Sequence, residues 1–221
     1  MRKVSCRSKS EIISAENIQP VPFVPGSVLV SVLFARSDSC YKTFPNVDVW
    51  DQTRDARNWT GGNPVVAHPP CRAWSRLRHF ARPLPGERAL ATLAIRQVRK
   101  YGGVLEHPVG SSLWVKAKLP APGCFDSYGG WTLPVSQHWW GHRAEKKTLL
   151  YICGVSPFDI PDVPLVLGEP THVCETRKRE NRRPSISKSE REHTPIEFAS
   201  WLVHLASLCR PLGKSSMAVS S

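Results

Sequence analysis

No stretch of about 18 consecutive apolar residues occurs in the chain, which excludes a membrane-spanning helix. The seven cysteines contain no CxxC pair and are odd in number, which excludes a ribbon-type zinc site and a closed disulfide framework. A reducing, cytoplasmic compartment suits such a chain. The start, Met1-Arg2-Lys3-Val4-Ser5-Cys6-Arg7-Ser8-Lys9, is basic, but no unbroken apolar stretch follows, so it does not read as a secretory signal. Acidic residues are scarce: 18 Asp and Glu against 30 Lys and Arg leave a formal charge of +12. That balance favours a phosphate-bearing partner, a nucleotide or a nucleic acid, although a generally basic surface gives the same count. His138 and His142 stand four apart near Cys124 and Cys153, but the local pattern is strand and turn rather than one helix face, so no metal site is read.

What is present suits one α/β domain. The 221 residues, 41% hydrophobic with eight Trp, can fill a single core. Residues 1–27 are polar and punctuated by Pro20, Pro22 and Pro25, and read as a flexible extension. The domain spans 28–210, with 211–221 as a disordered tail. It opens on the β-branched run Ser27 to Phe34, followed by an alternating strand, Val47-Asp48-Val49-Trp50-Asp51. Leu90, Leu93, Ala94, Ile95, Val98 and Tyr101 recur at helical spacing and predict a helix over 87–101, stopped by Gly102-Gly103. Gly103 to Pro108 is a further strand, and two more are expected in 131–140 and 148–153. The span 175–193 is basic and nearly devoid of apolar residues, so a mobile loop is expected there. Thr194-Pro195-Ile196-Glu197 reads as a capping box opening a last helix.

Candidate chemistry centres on Val65-Val66-Ala67-His68-Pro69-Pro70-Cys71. The apolar run is a strand and the prolines end it, which leaves Cys71 on a rigid turn at the strand's carboxyl end. Ligands of open α/β sheets bind along that edge. Free cysteine is commonly a small buried hydrophobe, but this placement suits a nucleophile. A right-handed strand–helix–strand unit puts Glu106, in Leu105-Glu106-His107-Pro108, on the same edge of the sheet.

Four stretches in order resemble motifs of the cytosine C5 methyltransferases: Pro69-Pro70-Cys71, then Leu105-Glu106-His107-Pro108, then Gly141-His142-Arg143-Ala144-Glu145-Lys146-Lys147 running into Thr148 to Gly154, then Arg191-Glu192-His193-Thr194-Pro195-Ile196-Glu197. The arrangement is also similar to small phage-encoded methyltransferase-like proteins. The resemblance implies an abbreviated, mostly parallel Rossmann-like sheet with helices on both faces. It implies that Cys71 attacks carbon 6 of a cytosine, activating carbon 5, while Glu106 hydrogen-bonds or protonates the cytosine's ring nitrogen. It places Pro70, Arg72, His107, Arg143 and Lys147 around the substrate, with a cation holding the thiolate or a substrate oxygen. It makes S-adenosylmethionine the expected cofactor, near Phe34, Ser37, Asp38, Asp51 and Asp55.

Two departures stand out. The family's cofactor loop is glycine-rich, whereas Phe34-Ala35-Arg36-Ser37-Asp38-Ser39-Cys40 has no glycine, so the cofactor binds differently, or another is used, or none. Only about forty residues separate Gly154 from Thr194, too few for a duplex-reading domain, which favours a nucleotide or a single strand as substrate. The expectation is a cytosine C5-modifying enzyme of the cytoplasm of a bacterium or phage-infected host. Its rivals are a pyrimidine-modifying enzyme with another or no cofactor, and a non-enzymatic nucleic-acid-binding or host-interaction protein on a decayed fold.

Overall fold

The computed structural model describes residues 28–75, 78–164, 166, 168–174 and 183–211. The expected extension and all but the first residue of the expected tail lie outside them. Six strands form one sheet: β1 (Val30–Ala35), β2 (Val47–Asp51), β3 (Val65–Ala67), β4 (Gly103–Pro108), β5 (Trp131–Ser136) and β6 (Lys147–Cys153), in the order β2-β1-β3-β4-β6-β5. Helices α1 (Arg78–Ala81), α2 (Glu87–Tyr101), α3 (Leu113–Lys116), α4 (Lys188–Glu192) and α5 (Ile196–Leu208) complete the described structure.

The first four strands pair in parallel, as expected, but β6 runs antiparallel between β4 and β5, so the sheet is mixed. Chain length explains the reversal. Parallel neighbours need a crossover of about a dozen residues or more, whereas the short connection 137–146 turns β6 straight back along β5. Pro134 is tolerated because β5 is an edge strand.

Alternation along the strands feeds two cores. Val32, Val66, Val104, Leu150 and Ile152 face α5, whose Phe198, Trp201, Leu202 and Leu205 close around Trp140, at ring separations of 4.8 Å to Phe198 and 5.0 Å to Trp201. Leu33, Val65, Ala67, Leu105 and Tyr151 face the opposite side, against Ala91, Ala94, Ile95 and Val98, one stripe of α2. Helices therefore cover both faces. Among the described residues no helix is long and apolar enough to cross a membrane.

Two expectations fail at the carboxyl end of the chain. Part of the expected loop 175–193 is helix α4, capped by Ser187, whose hydroxyl accepts from the Glu190 amide at 3.1 Å. Residues 175–182 lie outside the described set. The capping box at Thr194 does not form: Pro195 holds the N-cap position with no side-chain bond, and the Thr194 carbonyl faces the Cys40 thiol at 3.6 Å.

Gly103 joins α2 to β4 at φ +127°, and a Cβ there would stand 2.0 Å from the Val65 carbonyl oxygen. Gly103→Ala is therefore expected to cost on the order of 3 kcal/mol or more, from backbone strain and overlap together. Urea unfolding of the variant beside the wild type measures it.

Candidate active site

Because β3 and β4 pair in register, Ala67 opposite Leu105, the next residues of each strand, His68 and Glu106, meet side by side at the carboxyl edge. Glu106 is nearly out of water and collects donors from three segments. His68 Nδ1 lies 3.2 Å from Oε2, while Gln137 Nε2 at 3.1 Å and Thr148 Oγ1 at 3.2 Å reach Oε1. A carboxylate only accepts, so His68 carries its proton on Nδ1, and Nε2 accepts from the Tyr41 hydroxyl at 2.9 Å. The chain Tyr41–His68–Glu106 follows. Burial pushes the Glu106 pKa up, but the His68 contact and then the Lys146 charge outweigh it and hold it at about 2. Burial raises the Tyr41 phenol well above its ordinary value, so it remains a donor.

Cys71 is exposed on the turn that follows Pro69-Pro70, in αR conformation, with its carbonyl accepting from the Trp74 amide at 3.0 Å. Although the residue meets solvent, protein crowds its sulfur. Desolvation and then the Glu106 charge push the thiol above its ordinary value, and Lys146 partly opposes them. Cys71 therefore rests as a thiol. The cation within electrostatic reach of both Cys71 and Glu106 is Lys146, half-buried, with Nζ donating to the His193 carbonyl at 3.2 Å.

The other expected substrate residues are placed differently. Pro70 is half-buried beside Cys71. Arg72 turns toward α2 and grips the buried Glu87 at 2.6 Å. His107, one residue past Glu106, falls on the opposite face of β4, fully buried, edge-on to Trp114, with neither ring nitrogen hydrogen-bonded. Lys147 is exposed and paired with Glu145 at 3.3 Å. Arg143 holds Glu190 of α4 at 2.7 Å through Nε and lines a cleft of about 270 Å³ with His142, Glu190, His193, Thr194 and Glu197. Helix α4 is also tied down by Arg36, 2.8 Å from Glu192.

Most of the residues expected around S-adenosylmethionine are engaged with other residues of the chain. Phe34 takes φ +62° at an irregularity in β1, which supplies the sharp turn that glycine provides elsewhere. Beyond it, every carboxylate has partners within the chain. Asp38 lies between Arg36 at 2.9 Å and His193 at 3.1 Å. Asp51 accepts from Lys42 at 2.6 Å and from the amides of Thr53 and Arg54, and Asp55 is clamped by Arg57 at 2.6 Å. The Ser37 carbonyl accepts from Lys42 at 2.7 Å. Each of these carboxylates is thus engaged within the chain. Among the described residues, no three His, Cys, Asp or Glu side chains are placed to share a metal ion.

Sequence reasoning missed Tyr41, His68, Gln137, Lys146 and Thr148. For His68 the signal was available, since counting both parallel strands from their apolar runs sets it opposite Glu106. The rest are brought in by β6, by the short 3-10 turns Cys40–Thr43 and Gln137–Trp140, and by loops whose placement no local pattern encodes. Comparison with protein-family models, with curated proteins and with solved structures finds no match to this chain.

Burial sets a pH dependence. Desolvation holds His107 down at about 4 from 6.5, so below pH 6.5 the unfolded chain binds a proton that the folded chain refuses. Its contribution to stability is complete above pH 6.5 and is lost as pH falls toward 4; Glu106, held at about 2 from 4.5, extends the loss below pH 4.5. Urea titrations at pH 7, 5.5 and 4 are expected to show His107→Leu flattening the upper window by about 3 kcal/mol relative to wild type.

Proposed function

We propose that this protein modifies carbon 5 of a pyrimidine, cytosine foremost, through a covalent bond from Cys71 to carbon 6, on a nucleotide or a single-stranded nucleic acid. The observation that carries this reading is the Tyr41–His68–Glu106 chain ending beside an exposed cysteine on the carboxyl edge. The order β2-β1-β3-β4 supports a ligand site there: it matches the first four strands of the doubly wound order 2-1-3-4-5. The switch point of such a sheet lies between β1 and β3, and Cys71 follows β3.

Protonation states constrain the chemistry. Cys71 begins protonated and Glu106 ionised, so Glu106 is a conduit rather than a reservoir. As sulfur bonds to carbon 6, the electron pair of the C5–C6 double bond shifts to C4–C5 and the C4–N3 π pair moves onto nitrogen 3. The thiol proton passes to Glu106 and from it to nitrogen 3, so Glu106 ends ionised as it began. An S–H bond is exchanged for S–C6 and N–H, and carbon 5 becomes enamine-like. Lys146 favours the sulfur anion during transfer. Gln137 Oε1 is buried without a partner among the described residues, and a ring amino group is the complementary donor. Since the carboxylates of the Phe34 to Asp55 region are all engaged in ion pairs within the chain, no step is assigned to a methyl donor.

The test is intact-protein mass spectrometry after incubation with 5-fluoro-deoxycytidine monophosphate or a 5-fluorocytosine oligonucleotide, each with and without S-adenosylmethionine. An adduct on wild type that is absent from Cys71→Ser is expected, and an added methyl mass identifies the donor. Glu106→Gln should slow adduct formation by about 10²- to 10⁴-fold. No adduct with either substrate would sink the covalent reading.

A further inference from the structure

The segment leading away from Cys71 carries charge that the covalent chemistry leaves unused. Between Cys71 and Arg88 stand five arginines, Arg72, Arg76, Arg78, Arg82 and Arg88, and one acid, Glu87, which Arg72 already holds. Among the described residues Arg78, Arg82 and Arg88 pair with no carboxylate. In their midst Phe80, on α1, is 84% exposed, and Leu84 is 57% exposed. Helix α1 packs on the turn Arg72–Trp74 that follows Cys71, so this aromatic group is carried on the segment leading directly away from Cys71. Arg82, immediately after α1, is held at φ +43°, a conformation costly for a side chain of its size. Strain of this kind on an exposed segment marks one shaped by something other than core packing.

A phenyl ring left in water contributes nothing to folding. Its complement here must offer a flat apolar face and bring negative charge to both sides of it. A second copy of this chain would bring further cations to the same place. A nucleobase on a phosphate strand meets both requirements, provided its face is not stacked inside a duplex.

We infer that Arg78–Arg82 is a stacking platform for an unpaired polynucleotide strand, with Phe80 against one base and Arg78 and Arg82 on flanking phosphates. This rests on the reading that Cys71 acts on a pyrimidine, and it selects the strand over the free nucleotide as substrate. Phe80 then holds a neighbouring base while the target reaches Cys71.

The test is fluorescence anisotropy with labelled twelve-nucleotide oligo-dC, oligo-rC and a duplex of equal length, titrated with the full chain over a range of salt. Phe80→Ala should weaken strand binding by about 5- to 150-fold, the loss of one base–aromatic stack, and Phe80→Trp should keep it. Arg82→Gln should reduce the salt slope by about 0.7 on a single strand. The deoxy and ribo arms identify the sugar. Equal strand binding by wild type and Phe80→Ala, or equal sensitivity of the duplex to that change, overturns the platform; because Phe80 is exposed, matched melting curves exclude misfolding as the cause. The monophosphate adduct at Cys71 is read separately: its presence without strand binding defeats the platform alone, and strand binding that depends on Phe80 without any adduct defeats the covalent reading alone.

Discussion

A carboxylate taken almost out of water must be surrounded by donors, and at Glu106 that requirement ties the sheet's carboxyl edge together. Its three donors come from the end of β3, the turn after β5 and the start of β6, so one buried charge requires all three to hold their register. His68 is in turn fixed by Tyr41, from the short turn that follows β1. The antiparallel insertion of β6 thus has a chemical consequence: it brings Thr148 and, through the connection from β5, Gln137 to a strand end that a purely parallel sheet would have left to β3 and its loops.

The same charge limits the neighbouring thiol. Glu106 disfavours a Cys71 thiolate, Lys146 favours it, and desolvation tips the balance toward the neutral thiol. A neutral thiol resists adventitious oxidation, and under the proposed chemistry its activation depends on a ring nitrogen arriving to take the proton. Much of the other positive charge around the edge is spent on structure. Arg72, Arg143, Arg36 and Arg57 each hold a carboxylate of this chain. Among the described residues Arg78 and Arg82, on either side of Phe80, pair with no carboxylate.

Elements defined by local pattern were legible from the sequence. β2 and α2 run over the residues that alternation and helical spacing predict, and proline ends β3 where the missing donor requires it. The direction of β6 was not legible, because alternation sets a strand's faces and not its partner. Arg72, Arg143, Asp51 and Asp55 looked available for ligands because charge alone was visible. Arg72 and Arg143 find their carboxylates 15 and 47 residues away, and Asp51 finds its lysine nine away. The span 175–193 looked featureless for the same reason: α4 is short and polar, and it is held by ion pairs to Arg36 and Arg143 rather than by an apolar face of its own.

The sequence by itself determined the α/β class, the two helices that sandwich the sheet, and the placement of Cys71 and Glu106 at strand ends, since periodicity and proline act locally. Only the tertiary structure decided what Glu106 touches, that His107 faces away from it, and that the cofactor-region carboxylates are already paired. Those outcomes depend on register between distant strands, and one residue of register moves a side chain from one face of the sheet to the other.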